Sequence, residues 1–154
     1  MTETEKLEIK LGISGTYWSK CPDFSISLNG QELKSGTISA PSDEVEYHSF
    51  TCDLEEREHV LGIRLLNKEM SDTVQNEDKS AIVKDLVLNI VSIEIDEVEL
   101  GKCKWDNSVF VLDTPTEYSG QTITELARCV NLGFNGEYQF KFSTPYYVWL
   151  LENM

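Results

Sequence analysis

Apolar and polar residues alternate with a period of two from near the start of the chain. Leu7, Ile9, Leu11 and Ile13 are interleaved with Glu8, Lys10 and Gly12, the pattern of a strand with one buried face. Phe24, Ile26 and Leu28 alternate with serines and run into Asn29-Gly30. That pair is a strong hairpin signal, because both residues tolerate the positive φ of a type I′ turn. In that register Leu28 faces Gln31 and Ile26 faces Leu33. Further strand patterns lie over Val45–Cys52, Leu61–Leu65 and Asp85–Ile95. If Asp96-Glu97 forms a two-residue turn, Ile95 pairs with Val98, Ile93 with Leu100, and Glu94 lies opposite Glu99. Such a like-charge pair needs water, a cation or a lysine such as Lys102 between its members.

Beyond Gly101 the pattern is less regular. Val109–Leu112 reads as a strand, Ile123–Cys129 as a short helix, and Tyr138, Phe140 and Phe142 as alternate positions of a strand introduced by Asn135-Gly136. The segment Tyr146–Leu151 is too apolar to be left in water, so it packs on this domain or on another subunit. About nine strands separated by turn signals, without long helical stretches, predict an all-β fold: an antiparallel β-sandwich, jelly-roll-like. At 154 residues the chain fits one domain, 1–154, able to bury roughly 68–70% of its unfolded surface. A subdivision into a sandwich over 7–101 and an extension over 102–154 is the alternative.

Charge and cysteines narrow the function classes. Thirteen Lys and Arg against 27 Asp and Glu give a formal charge of −14, which disfavours nucleic acid and anionic membranes and favours cations or basic proteins. The apolar stretches are strand-sized, so no membrane insertion is expected. The opening residues lack an apolar signal region, so synthesis in the cytosol is expected. Cys21, Cys52, Cys103 and Cys129 are widely spaced and read as reduced thiols.

Catalytic motifs are not evident. His48 and His59 fall in or beside strand patterns, and Gly12-Ile-Ser14-Gly15 misses the nucleophile-elbow spacing by one position. The chain therefore reads as noncatalytic. The loop from Asn67 to Asp85 concentrates Asn67, Glu69, Asp72, Asn76, Glu77, Asp78 and Asp85, oxygen donors of the kind calcium takes. Lys68, Lys79 and Lys84 in the same loop oppose a cation, and a solvated acidic loop is the plain alternative. Trp18 and Trp105 are candidates for a sugar platform, since the apolar face of a pyranose can lie against an aromatic ring. Large aromatics are more often core or interface residues, since they dominate burial in both places.

A resemblance rests on these elements. The first strand, the Asn-Gly hairpin, Glu58-His-Val-Leu-Gly-Ile-Arg-Leu-Leu-Asn67, the polar loop and Asp85-Leu-Val-Leu-Asn-Ile-Val-Ser-Ile-Glu-Ile-Asp96 together resemble the calcium-dependent, xylan-binding type of carbohydrate-binding module over about residues 7–101. The resemblance implies a β-sandwich and a calcium ion that holds sugar hydroxyls. Asn67 and Asp85 match by position, and with Asp72 and Asp78 they form the expected metal set. Lys68 stands where the pattern would have an acid, and Lys84-Asp85-Leu86 departs from the opening of its next strand. A second resemblance, to small acidic β-sandwich proteins of tailed bacteriophages, implies a virion location. The expected function is a noncatalytic module of a viral particle that recognises a host-surface glycan or a neighbouring virion protein. One alternative is a purely structural assembly protein whose Tyr146, Tyr147, Trp149 and Leu150 dock on another subunit, including a homo-oligomer. Another is a small glycan-active enzyme.

Overall fold

A computed structural model describes residues 4–118 and 120–153. Strand β1 (Thr4–Thr16) carries the first alternating pattern and lies between β4 (Val45–Glu55) and β8 (Val87–Ile95), antiparallel to both. Its side chains Leu7, Ile9, Leu11 and Ile13 are completely buried. Short strands β9 (Val98–Glu99) and β12 (Asn131–Leu132) pair with β8 and complete a five-stranded sheet. The second sheet has six strands. Its order is β11 (Gln121–Ala127), β10 (Ser108–Tyr118), β13 (Gly136–Ser143), β5 (Glu58–Leu65), β2 (Asp23–Leu28) and β3 (Gln31–Thr37). Apolar residues of both sheets form one buried cluster, with Ile26, Ile63, Phe140 and Phe142 from the six-stranded sheet beside the β1 residues. The antiparallel sandwich expected from the strand pattern is therefore the observed architecture.

Two bulges adjust the period-two pattern. Ile13 pairs with Ile90 and Gly12 with Ser92, which leaves Val91 as an extra, exposed residue. Ile90 and Ile93 can then both face the core although three positions separate them. In the β2–β3 hairpin Leu28 pairs with Gln31 as expected, but Ile26 pairs with Lys34 rather than Leu33. Leu33 is the extra residue, and it packs partly buried against the core. A bulge of this kind also twists an edge strand away from further pairing.

Both predicted two-residue turns adopt positive φ, 53° and 82° at Asn29-Gly30 and 51° and 68° at Asp96-Glu97. Ile95 pairs with Val98 and Glu94 with Glu99, and the Leu100 N–H donates to the Ile93 carbonyl at 2.9 Å. The like charges are relieved by Lys104 rather than Lys102: the Lys104 Nζ lies 3.8 Å from Glu99, and Lys10 on β1 stands opposite Glu94.

The C-terminal third departs from expectation in where its helix lies. Residues 121–127 form β11 rather than part of a helix. The ladder offered by β10 and the β-branched Thr122, Ile123 and Thr124 outweigh the short-range helix signal. From the part of the chain beyond Gly101, β13 inserts between β10 and β5. Regular helix occurs instead at α1 (Cys103–Asp106) and α2 (Tyr146–Asn153). Helix α2 turns Tyr146 and Trp149, 0% and 9% exposed, onto β13. The Trp149 ring meets Phe140 edge-on at 5.7 Å and Phe142 at 6.3 Å. Tyr146 and Trp149 are thus core residues of this domain rather than contacts for another subunit, and Leu150 is also packed against the core. Tyr147, Val148 and Leu151 face outward.

Trp149→Ala should lower stability by about 3 kcal/mol, the usual range for emptying an aromatic core site, read as a lower urea midpoint. The buried Tyr146 hydroxyl has no hydrogen-bond partner among the described residues, so Tyr146→Phe should hold or raise that midpoint, since it removes an unpaired polar atom.

Candidate ligand-binding site

The loop between β5 and β8 is tied to its surroundings residue by residue. Asn67, just after β5, accepts the Asp23 N–H at 2.8 Å and donates to the Cys21 carbonyl at 3.0 Å. Both ends of its amide therefore bind the segment that enters β2. Asn135, before β13, holds the Lys68 backbone from both sides: it accepts the Lys68 N–H at 2.7 Å and donates to the Lys68 carbonyl at 2.9 Å. With its backbone clamped, Lys68 extends its ammonium to Asp85 Oδ1 at 2.7 Å and to the Gly133 carbonyl at 2.6 Å. The Lys68 and Asp85 side chains are only 12% and 21% exposed. Asp85 Oδ1 also accepts from the Thr73 hydroxyl at 2.8 Å and the Leu86 N–H at 2.9 Å.

A second lysine serves the next carboxylate. Asp72 ends a short 3₁₀ turn, Met70–Asp72, where its Oδ2 accepts the Glu69 N–H at 2.7 Å and meets Lys20 Nζ at 2.9 Å. The Asp72 carbonyl accepts the Trp18 indole N–H at 2.9 Å. That bond fixes a ring that is 46% exposed, with Lys84 Nζ 4.9 Å from its centroid. Phe134, 42% exposed, lies with its centroid 5.9 Å from Lys68 Nζ. Trp18 and Phe134 are therefore joined by one chain of contacts running through Asp72, Thr73, Asp85 and Lys68.

Not every expected site residue joins this network. Asp78 lies at the tip of a separate hairpin between β6 (Val74–Gln75) and β7 (Ile82–Lys84), where it accepts from the Ser80 N–H at 3.0 Å and hydroxyl at 2.6 Å. Trp105 sits on α1 with the Arg128 guanidinium 5.7 Å from its ring. Phe134 was not among the expected platform residues, although an aromatic residue within Gly133-Phe134-Asn135-Gly136 carries the signal of a surface turn.

The donor set does not fit calcium. That ion takes about six to eight oxygens at roughly 2.3–2.6 Å, whereas Asn67, Asp72, Asp78 and Asp85 turn to four different protein partners, Asp23, Lys20, Ser80 and Lys68. Among the described residues no group of three or more His, Cys, Asp or Glu side chains is arranged to hold a metal. The oxygens that do converge surround ammonium groups.

The histidines serve the fold. His59 is buried, with Nδ1 2.9 Å from Asn29 Nδ2 and Nε2 2.8 Å from the Glu55 carbonyl. Its partners call for the neutral tautomer protonated on Nε2. His48 lies between Lys34 and Glu46, 2.8 Å from each. The four cysteines are free thiols; Cys103 is buried and the other three are half-buried.

Burial opposes ionisation of Asp85, but the Lys68 ammonium, the Thr73 hydroxyl and the Leu86 N–H outweigh it and hold the carboxyl below its ordinary value. Burial likewise opposes ionisation of Asp72, and the backbone amide and Lys20 outweigh it. A carboxyl depressed by folding adds stability above its unfolded pKa, and that stability disappears as pH falls through the lower folded value. Thermal melting should thus show no contribution from these groups to pH dependence between about pH 5 and 8, then a loss of stability below about pH 4. Asp85→Asn should flatten that acid limb.

No protein-family profile matches the chain, and no curated protein matches it significantly. Solved structures do. vCBM60 in complex with galactobiose aligns with a TM-score of 0.54 at 10% identity, over 86% of this chain and 96% of that one. The selenomethionine form of vCBM60, described with a circular permutation linking two families of calcium-dependent carbohydrate binding modules, aligns with a TM-score of 0.54 at 12% identity, over 87% and 89%. At such low identity the likeness is one of fold: this chain has the sandwich architecture of carbohydrate-binding modules.

Proposed function

We propose that this protein is a noncatalytic glycan-binding module. The observation that carries the reading is the pair of exposed aromatic rings, Trp18 and Phe134, connected to each other through the Lys68–Asp85 network. A pyranose offers one apolar face and a rim of hydroxyls. Rings held at fixed positions receive the face, and charged donors and acceptors next to them receive the hydroxyls. The fold likeness to vCBM60 supports the same reading, and so do the structural hydrogen bonds that hold both imidazoles. The resemblance to phage proteins adds a context, a bacteriophage particle on which the ligand is a host-surface glycan.

A second reading is favoured by the outward face of α2, where Tyr147, Val148 and Leu151 are exposed. On a virion this face would dock on a neighbouring protein or on another copy, with no sugar involved.

A glycan array and calorimetric titration with galactobiose should detect binding by the intact protein. Trp18→Ala should weaken it about tenfold, the equivalent of ~1.4 kcal/mol, and Asp85→Ala should do the same or more. Silence toward every glycan would sink the reading. Tyr147→Ser combined with Leu151→Ser should leave sugar affinity unchanged; a shift to smaller species in sedimentation, without any glycan binding, would favour the assembly reading instead.

A further inference from the structure

We infer that the Lys68 ammonium stands in for a metal ion, so that the site holds its ligand with a covalently built-in cation and without calcium. Three features converge on this assignment. The ammonium is nearly enclosed, and its two acceptors, Asp85 Oδ1 at 2.7 Å and the Gly133 carbonyl at 2.6 Å, are a carboxylate and a backbone carbonyl, the oxygen types a calcium ion would draw on. Asn135 holds the Lys68 backbone from both sides, and at the far end of the side chain the carboxylate and carbonyl acceptors hold the ammonium itself. The neighbouring carboxylate, Asp72, is likewise neutralised by an ammonium, that of Lys20.

The arrangement also leaves hydrogen-bonding capacity unused. An ammonium has three N–H donors, and two acceptors are present among the described residues. The hydrogen bonds made by the Asp85 carboxylate all fall on Oδ1, which leaves Oδ2 without a partner among the described residues. A donor and an acceptor side by side, next to the exposed Phe134 ring, suit two adjacent hydroxyls of one sugar: one hydroxyl accepts from Lys68 while its neighbour donates to Asp85. This half of the inference rests on the glycan-binding reading. The replacement of the metal by the ammonium does not.

The test uses the whole chain and its Lys68→Met variant, melted in excess calcium chloride and in EDTA, then titrated with galactobiose in EDTA. Wild-type protein should melt at the same temperature in both solutions and bind galactobiose equally with and without calcium. Lys68→Met should melt roughly 3–8 °C lower and bind at least about tenfold more weakly. A calcium-induced rise in the wild-type melting temperature, or galactobiose binding that needs calcium, would overturn the inference. So would a variant equal to wild type in both measurements. If galactobiose and a glycan array are both silent, the glycan reading and the hydroxyl contacts fall together, and the metal replacement is judged on the melting curves alone.

Discussion

The structure depends on burying the inner face of β1 between its two neighbours and against the opposite sheet. Leu7, Ile9, Leu11 and Ile13 are wholly removed from water, and each such side chain contributes about 1.5–3 kcal/mol relative to exposure. Because side chains alternate across a strand, a slip of one residue would turn this entire set toward solvent. The register of β4 and β8 follows from that constraint. The bulge at Val91 is how β8 reconciles a sequence whose isoleucines are three apart with a face that must remain apolar.

The aromatic residues near the C-terminus serve the same end. Phe140 and Phe142 on β13 need cover, and α2 supplies it with Trp149 and Tyr146. The centre of the six-stranded sheet is thereby built from a strand far along the chain. Residues on both sides of Gly101 belong to one cluster.

A chain with a formal charge of −14 would be expected to draw cations to its acidic loop. Here the chain supplies its own: Lys20 reaches Asp72, Lys68 reaches Asp85, and Arg64 reaches Asp113. These pairs differ in environment. Arg64–Asp113 is substantially exposed and contributes little, whereas the Lys68 and Asp85 side chains are mostly buried, so that removing one partner leaves the other poorly solvated. The polar network joining Trp18 to Phe134 is consequently fixed in geometry before any ligand arrives, which reduces the ordering that binding would require.

The sequence by itself determined the main strands of the two sheets in the N-terminal two thirds, though not the small β6–β7 hairpin within the 67–85 loop, together with both two-residue turns and the sandwich class, because period-two alternation and positive-φ turn residues are local properties of the chain. It also marked the 67–85 loop and the anomaly at Lys68. Only the tertiary structure decided that Gln121–Ala127 is a strand, since that depended on a ladder with β10, and that Leu33 rather than its neighbour leaves the register. The site was decided at the same level. Asn67, Asp72, Asp78 and Asp85 are close in sequence, yet their side chains turn to different partners, while Phe134 and Gly133 come to Lys68 across 65 or more residues of chain. Ligand geometry depends on directions in space, and those were fixed by packing between segments that the linear order keeps apart.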